Sequence, residues 1–278
     1  MSTSSAEPTL VGAGSANEDT WRARRARLII PALQLLVLLA LIAAWQLGAS
    51  SGWIDPVLAK TPSQSWDYFR TAVADGEIWH NSVATLSAVF IAWILASIVG
   101  TVCGIALGLL PRTERVLTPF LDAFNAMPRI ALAPLFIVAL GIGTSAKVAL
   151  AATLVFFIVM SSARAGVRST DAEWLRLSTV LGASKVQVFT KILLPVATPA
   201  IFAALRLGLI YALLGVVGSE LISAKNGLGQ LISEYSAVFR LEAVYAILIY
   251  LAIIAVALNQ LMSFAERRLL RWQPPSDN

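Results

Sequence analysis

The stretch EWLRLSTVLGASKVQVFTKILLP, residues 173–195, interrupts a very apolar chain with charged and amide side chains. Its middle carries Gly182, which can end a helix because a residue without a Cβ adopts a positive φ at little cost. The patterning on either side predicts a short helix over residues 171–181 and a second helix over residues 185–193. Pro195 is expected to stop the second helix, because proline lacks a backbone N–H and crowds the preceding turn.

The second of these helices has its own start signal and an apolar stripe. Ser184 is followed three residues later by Gln187, which is the spacing of an N-terminal capping box. Apolar side chains then recur along one helical face, at Val186, Phe189 and Leu193. Two short amphipathic helices joined by a turn would form a compact knob that docks into a groove on a soluble partner. A plain loop with an interfacial amphipathic helix is the alternative that these residues leave open.

The composition of the whole chain indicates an integral membrane protein. Of the 278 residues, 58% are hydrophobic and 13% are charged, and the mean hydropathy is +0.76. Soluble domains contain about 25% charged residues, so this chain has too few charges for a protein surrounded by water. We therefore predict an all-α integral membrane protein with a single membrane domain.

Six apolar stretches are long enough to cross a bilayer, which takes about 20 residues. The third is the least apolar, because Asp122, Asn125, Pro128 and Arg129 lie in its first half. An even number of spans places both termini on the same side of the membrane. The six predicted spans are residues 28–50, 83–110, 120–143, 146–163, 198–222 and 243–265.

Lysine and arginine predict the orientation, because they concentrate in cytoplasmic loops. Fourteen of the 21 lie in the N-terminal tail, the loop after the second span, residues 164–191 and the C-terminal tail. Five lie on the other face, Lys147 among them, while Arg129 and Arg206 fall inside spans. This asymmetry predicts cytoplasmic termini and a cytoplasmic position for residues 173–195. It also accounts for the pI of about 9.7 without nucleic acid as a partner.

Composition also assigns the ends of the chain. Residues 1–27 are predicted to be a disordered, basic cytoplasmic tail because they contain little to bury, and residues 267–278 to be a second cytoplasmic tail. The apolar run after the first tail is too long for a signal peptide. Residues 28–80 are therefore predicted to hold the first span and an external segment. Residues 81–266 are predicted to be the transmembrane core, with a cytoplasmic loop at residues 164–197.

The second half of the opening segment resembles the signature loop of binding-protein-dependent ABC importer permeases. In that family the loop reads E-A-A-x-x-x-G, ends in I-x-L-P, and is the coupling helix that sits in a groove of the ATPase subunit. The first half departs from the pattern, because Arg176 stands where the family usually has glutamate, and the nearest acid is Glu173. The matching positions are Gly182, Ala183, Ser184, Phe189, Ile192, Leu194 and Pro195.

Two further segments are similar to the same family. MPRIALAPLFIVALGIGTSAK, residues 127–147, looks like its third span, through Pro128, Ala131, Pro134, Leu135, Gly141 and Gly143. ALRLGLIYALLGVVGSELISAKNGLGQLI, residues 204–232, looks like its fifth span and following loop, through Arg206, Glu220, Gly227, Leu228 and Gly229. The combination resembles the nitrate/sulfonate/taurine branch of these importers.

This resemblance implies the type I ABC importer permease fold, in a multi-pass protein of the cell membrane. The implied function is to form the translocation pathway for a small anionic solute of the sulfonate, nitrate or taurine type. The expected partners are a cytoplasmic ABC ATPase, an extracytoplasmic solute-binding protein, a second permease copy and the lipid bilayer. The sequence has no G-x-x-x-x-G-K-[ST] P-loop. ATP hydrolysis is therefore expected to belong to a partner, with no enzyme activity and no cofactor in this chain.

Two other function classes remain as alternatives. A transporter coupled to an ion gradient would use intramembrane carboxylates and repeated halves. The predicted spans hold only Asp122 and Glu220 as acids, and no repeat is evident. A membrane-embedded enzyme is disfavoured, because His80 and Cys103 are the single histidine and cysteine and cannot form a metal cluster or a disulfide.

Three ionisable residues inside the predicted spans are candidates for the pathway, because charges in a bilayer usually face the protein interior or a water-filled route. Arg129 lies in the third span, Arg206 in the fifth, and Glu220 near the outer end of the fifth. Either arginine could attract an anion. In the alternative interpretation, Arg206 pairs locally and Glu220 braces the outer gate loop. Pro128 and Pro134 predict bends beside the pathway.

The second predicted span has a small residue at every fourth position from Ala84 to Gly108, including the run GTVCGIALG at residues 100–108. Small side chains let helices approach closely. This row therefore predicts a packing face and not a chemical site.

Overall fold

The computed structural model describes residues 15–51, 55 and 57–269, with side chains from residue 29 onward. All regular structure in these residues is helical. The chain forms two compact units, residues 1–64 and residues 65–278, which are described in turn.

The first unit is dominated by one long helix, α1 (Ser15–Ser50). Its part Ile29–Ser50 is long and apolar enough to cross a membrane. The helix covers residues 15–27, where the sequence predicted disorder, because extending a formed helix avoids a new nucleation step. Residues 1–14 of that predicted tail lie outside the described residues. Near the end of α1, the indole Nε1 of Trp45 donates a hydrogen bond at 2.9 Å to the carbonyl oxygen of Lys60, which follows the helix.

The second unit is a bundle of long helices with short ones between them. Four of its helices are long and apolar enough to cross a membrane by themselves, namely α3, α6, the continuous helix that ends as α9, and α11. In chain order the elements after α1 are α2 (Pro62–Ala74), α3 (Glu77–Leu109), α4 (Pro111–Ala126), a 3-10 turn (Arg129–Leu132), α5 (Ala133–Leu140), α6 (Thr144–Arg168), α7 (Ala172–Val180), α8 (Lys185–Val188), a π turn (Phe189–Leu193), α9 (Leu194–Ile222), α10 (Leu228–Ala237) and α11 (Leu241–Leu269).

The predicted third span is not one continuous helix. α4 and the segment Arg129–Leu140 meet at an angle of 83°, and the described chain has six spans only if this bent pair counts as one. The break lies at Met127, whose extended conformation (φ −70°, ψ 134°) is the one that a following proline imposes. The bend predicted at Pro128 is thus confirmed. Pro134 instead lies in the first turn of α5, where a missing N–H costs nothing.

The prediction that Pro195 ends a separate second helix is wrong. Residues Lys185–Ile222 form one helix that passes through the π turn, where the Leu194 N–H bonds to the Phe189 carbonyl five residues earlier. A proline ring in an α-helix clashes with the carbonyl four residues before it, which here belongs to Lys191. The wider π turn relieves that clash, so the helix continues.

The core of the second unit lies where α3, α6 and α9 pack together. The row of small residues on α3 faces α6, as predicted. A Cβ on Gly100 would lie 2.9 Å from the Phe156 carbonyl oxygen, and one on Gly108 would lie 2.8 Å from the Cβ of Val167. The two helices therefore approach to backbone contact along this row.

We predict that Gly104→Ala destabilises the bundle while Gly218→Ala does not. A Cβ at Gly104 would overlap the Met160 carbonyl oxygen and approach the Ala163 Cβ to 2.7 Å, and such overpacking costs about 1–3 kcal/mol. A Cβ at Gly218 has no neighbour within 4 Å, so alanine should stabilise α9 by about 0.5–1 kcal/mol. Thermal unfolding of the two purified variants in detergent tests the contrast, and equal midpoints would contradict the packing.

Candidate functional site

The bundle has two ends, named here by one residue each. At the Glu220 end, α3 and α6 begin and α9 stops. At the Gly182 end, α3 and α6 stop and α9 begins after the turn at residues 181–184. The candidate residues from the sequence divide between these ends and the bent span.

The turn at the Gly182 end has the predicted local geometry. α7 is capped by Asp171, the residue before its start, whose carboxylate accepts a hydrogen bond from the Glu173 N–H at 2.8 Å. Gly182 has φ +73°, the left-handed region in which a side chain is disfavoured. The Ser184 hydroxyl accepts from the Gln187 N–H, and the Gln187 side chain accepts from the Ser184 N–H. The predicted capping box is confirmed.

One face of this segment is anchored to the bundle. Leu193 is buried in a cluster with Ala163, Val167, Ala197 and Ile201, which belong to α6 and α9. Around that cluster pack the partly buried side chains of Ile105, Leu175, Val188, Phe189 and Leu205. The predicted stripe is therefore divided, because Leu193 and Phe189 face the bundle while Val186 is 70% exposed.

The other face of the segment exposes large apolar side chains. They are Trp174, Leu177, Val180, Leu181 and Val186. Glu173, Arg176 and Leu194 are also exposed, and Ala183, Ile192 and Pro195 are half-buried. Exposed apolar clusters can mark interaction sites, and here the cluster is carried on a base that packs against α6 and α9.

Arg129 lies directly after the bend of the third span. Its guanidinium carbon sits 4.6 Å above the centre of the Phe157 ring, a cation–π geometry, and its Nη2 donates to the side-chain oxygen of Asn125. No described acid forms an ion pair with it. The bend thus carries a positive charge without a counter-charge in the described chain.

Arg206 differs from Arg129 in having an acidic partner. Its Nη1 lies 3.2 Å from Glu266 Oε2 and 3.4 Å from the Ser263 hydroxyl. This contact ties α9 to α11 and compensates the charge of Arg206 within the chain.

A buried ion pair occupies the Glu220 end. Lys147 on α6 and Glu220 on α9 are each 1% exposed, and Lys147 Nζ lies 2.9 Å from Glu220 Oε1. The Thr85 hydroxyl donates to the same carboxylate at 3.0 Å, and the Gly229 N–H donates to Oε2 at 2.9 Å. Both charges in this site are therefore paired, and both carboxylate oxygens accept hydrogen bonds, as a buried ion pair requires.

The loop between α9 and α10 is wrapped around this carboxylate. The Gly227 N–H donates to Asn81 Oδ1 at 2.7 Å, the Leu228 N–H to the Thr85 hydroxyl at 2.9 Å, and Lys147 Nζ to the Asn226 carbonyl oxygen. Gly227 has φ +126°, and a Cβ there would overlap the Glu220 carboxylate. Glycine is needed at positions 227 and 229 because a side chain at either would collide with Glu220.

The sequence interpretation missed Lys147. We counted it as an external loop cation, but it lies in the first turn of α6 and is buried. The available signal was Glu220 itself, since an acid inside an apolar span requires a partner and Lys147 borders the facing span. Asn81 and Thr85, which hold the loop, carry no distinguishing pattern.

A second polar cluster at the Glu220 end joins α2, α3 and α10. The Tyr68 and Tyr235 hydroxyls donate to the two oxygens of Glu77 at 3.0 and 2.6 Å, and the Arg240 guanidinium lies over both rings. Burial, and then hydrogen bonds to Tyr235 and Glu77, raise the pKa of Tyr68 above its usual value. Burial and the hydrogen bond to Glu77 likewise raise the pKa of Tyr235.

We predict that these two tyrosines keep their protons at a pH that ionises them in the unfolded chain. Their folded pKa values lie above the unfolded value of about 10. The contribution of these two tyrosines to the stability of the fold is thus fully present below a pH of about 10. It is lost as the pH rises through their folded pKa values. At a pH just above the unfolded tyrosine pKa of about 10, unfolding should increase tyrosinate absorbance, and the increase should be smaller in a Tyr68→Phe/Tyr235→Phe variant. An undiminished increase would contradict the prediction.

Comparison with known proteins shows the family of this chain. Residues 96–271 match the family described as binding-protein-dependent transport system inner membrane component. The taurine transport system permease protein TauC of Escherichia coli is 31% identical over 86% of this chain and 89% of its own length. The riboflavin transport system permease protein RibX of Chloroflexus aurantiacus is 32% identical over 87% and 91%. The aliphatic sulfonates transport permease protein SsuC of Bacillus subtilis, a putative assignment, is 29% identical over 86% and 87%.

Solved structures show the same fold. An inward-facing conformation of the MetNI methionine ABC transporter superposes with a TM-score of 0.60 at 21% identity, and covers 70% of this chain and 95% of that one. An amino acid ABC transporter gives a TM-score of 0.55 at 18% identity, over 72% and 97%. The bundle thus has the fold of type I importer permeases. The chain belongs to the binding-protein-dependent transport system inner membrane components, and it is a permease subunit of an ABC importer.

Proposed function

We propose that two copies of this chain form the pathway of an ATP-driven importer for a small organic anion of the sulfonate or taurine class. An extracytoplasmic solute-binding protein delivers the solute at the Glu220 end, and a cytoplasmic ATPase binds at the Gly182 end. The relatives named for taurine and aliphatic sulfonates support the substrate class. With Lys147 placed inside α6, fourteen lysines and arginines on one face against four on the other support the orientation.

The observation that carries this proposal is the two-sided segment at the Gly182 end. Its inner face is packed on α6 and α9, while its outer face exposes apolar side chains. A displacement of a partner bound to the outer face would be transmitted to α9, because Lys185–Ile222 is one helix. Glu173 and Arg176 form the polar rim of this docking surface, and Gly182 fixes the turn.

The charge at the bent span supports an anionic solute. Arg129 has no acidic partner in the described chain, so its positive potential is available to an anion. Pro128 and Pro134 set the direction of the chain on either side of it. Arg206 and Glu220, whose charges are compensated by Glu266 and Lys147, are assigned to holding the helices together.

Affinity purification of the chain, expressed with an ABC ATPase and a solute-binding protein from the same organism, tests the assembly. The expected complex contains two permease copies and hydrolyses ATP. In proteoliposomes, Arg129→Ala should lower uptake of the anion that the binding protein carries and leave the bound ATPase unchanged. Arg112→Ala, an exposed arginine at the start of the same bent pair, is the matched control. Unchanged uptake in the Arg129 variant would remove it from the pathway.

A further inference from the structure

A charged cleft at the Gly182 end is not used by the proposed transport function. It has a volume of about 490 Å³ and lies where the first turns of α4 face the last turns of α6. Three arginines and two acids line it, together with a threonine and a proline. The lining residues are Glu114, Arg115, Thr118, Pro119, Asp122, Arg164 and Arg168.

One buried carboxylate holds two of the arginines in place. Glu114 is 6% exposed, and its Oε1 lies 2.9 Å from Arg168 Nη1 and 3.8 Å from Arg164 Nη1. Its Oε2 is buried and accepts no hydrogen bond from any residue that the structure describes. Because each guanidinium uses one nitrogen here and carries five N–H groups in all, most of its donors remain for another ligand.

The charges in the cleft favour an anion. Arg115 and Asp122 form no ion pair within residues 57–269, and three cations against two acids leave an excess of one positive charge. A single phosphodiester carries one negative charge and accepts hydrogen bonds from arginine in the preferred bidentate geometry. The cleft therefore matches one phosphodiester in both charge and donors.

The depth of the cleft places it at the level of lipid headgroups. α6 has 25 residues and is about 37 Å long, which exceeds the hydrocarbon thickness of about 30 Å. Residues 148–163 of this helix carry no charge and span about 24 Å, so they account for most of the hydrocarbon thickness. Arg164 and Arg168 then lie at its boundary, where phosphates of the bilayer are found.

Apolar surface beside the cleft distinguishes a lipid from a soluble anion. Leu109, Leu110 and Val116 flank the start of α4 and are exposed. Arg115, the residue before Val116, lines the cleft. A ligand that fills both features needs a phosphate and an adjacent hydrocarbon chain, which a phospholipid provides.

We propose that this cleft binds the phosphate of an anionic phospholipid headgroup of the phosphatidylglycerol type. Arg164 and Arg168, oriented by Glu114, and Arg115 from the facing helix hold the phosphate. The lipid joins the start of α4 to the end of α6, and so stabilises the bent span at the end where the chain exposes its apolar segment. The site does not depend on which solute is transported.

Thermal unfolding of the full-length protein in detergent tests the site with defined lipids. Added phosphatidylglycerol should raise the unfolding midpoint, whereas phosphatidylcholine and soluble glycerol phosphate should not. Arg115→Gln leaves the contacts of Glu114 intact. It should raise the half-saturating lipid concentration about fivefold, since a basic residue at a membrane surface contributes about 1 kcal/mol. Arg164→Gln should abolish the shift.

Arg267→Gln is the matched control, because Arg267 is exposed in the last turn of α11, outside the cleft, and it should respond as the wild type does. An equal shift with phosphatidylcholine, or an Arg115 variant with unchanged lipid dependence, would overturn the site. A shift with glycerol phosphate alone would assign the cleft to a soluble phosphate and overturn the lipid proposal. If Arg164→Gln does not fold, Arg115→Gln still tests the site, because that substitution disturbs no described contact.

Discussion

Lys147→Met is expected to prevent stable assembly of the bundle. The substitution leaves Glu220 buried without its counter-charge, although Thr85 and Gly229 still donate to it. Removing one partner of a buried ion pair costs about 3–5 kcal/mol, a large part of a typical stability of about 5–15 kcal/mol. The loop held through Asn226 also loses a donor. The amount of monodisperse protein in detergent and its unfolding midpoint measure the effect.

Two controls separate the loss of the ion pair from a general sensitivity of the Glu220 end to substitution. Lys225→Met replaces an exposed lysine in the same loop and should leave the midpoint unchanged. Adding Glu220→Gln to Lys147→Met removes the buried charge and should recover part of the loss, because a neutral amide costs less to bury than a carboxylate. A single Lys147→Met variant as stable as the wild type would show that the pair does not hold this end together.

Val186→Glu is expected to abolish retention of the ATPase without unfolding the permease. Val186 is 70% exposed and lies on the apolar outer face that we propose as the docking surface. A carboxylate there would have to be desolvated in the interface, at a cost of several kcal/mol. Because a loss of about 3 kcal/mol of binding free energy corresponds to more than a hundredfold in the dissociation constant, the ATPase would bind at least a hundredfold more weakly. The ATPase recovered with affinity-purified permease measures this directly.

Val238→Glu is the matched control for that experiment. Val238 is 61% exposed and follows α10 at the Glu220 end, so the same change is made at a similar exposure but at the opposite end of the bundle. It should leave the ATPase bound. Retention of ATPase by the Val186 variant, or equal loss in both variants, would contradict the assignment of the docking surface.

Features set by neighbouring residues could be predicted from the sequence. The turn at Gly182 and the capping box of Ser184 depend on contacts within five residues. The bend at Pro128 follows from the steric effect of a proline on the residue before it. The small-residue row on α3 was recognised from its period, since the same face recurs about every four residues.

Features set by distant residues could not be predicted in the same way. Lys147 and Glu220 are 73 positions apart, and only the folded bundle brings the start of α6 beside the end of α9. Pro195 was interpreted by its local effect, but packing of Leu193 and its neighbours on α6 stabilises a π turn that accommodates the ring. The cleft around Glu114 likewise joins residues from two helices that the sequence treats separately.

Uptake into proteoliposomes that contain the permease, its ATPase and its solute-binding protein tests the central claim most directly. Trapped ATP should drive accumulation of the anion bound by the solute-binding protein, and a non-hydrolysable analogue should not. Dissipating ion gradients with ionophores should leave this uptake unchanged. Uptake that persists without ATP and collapses with the ion gradient would instead identify a secondary transporter and contradict the account.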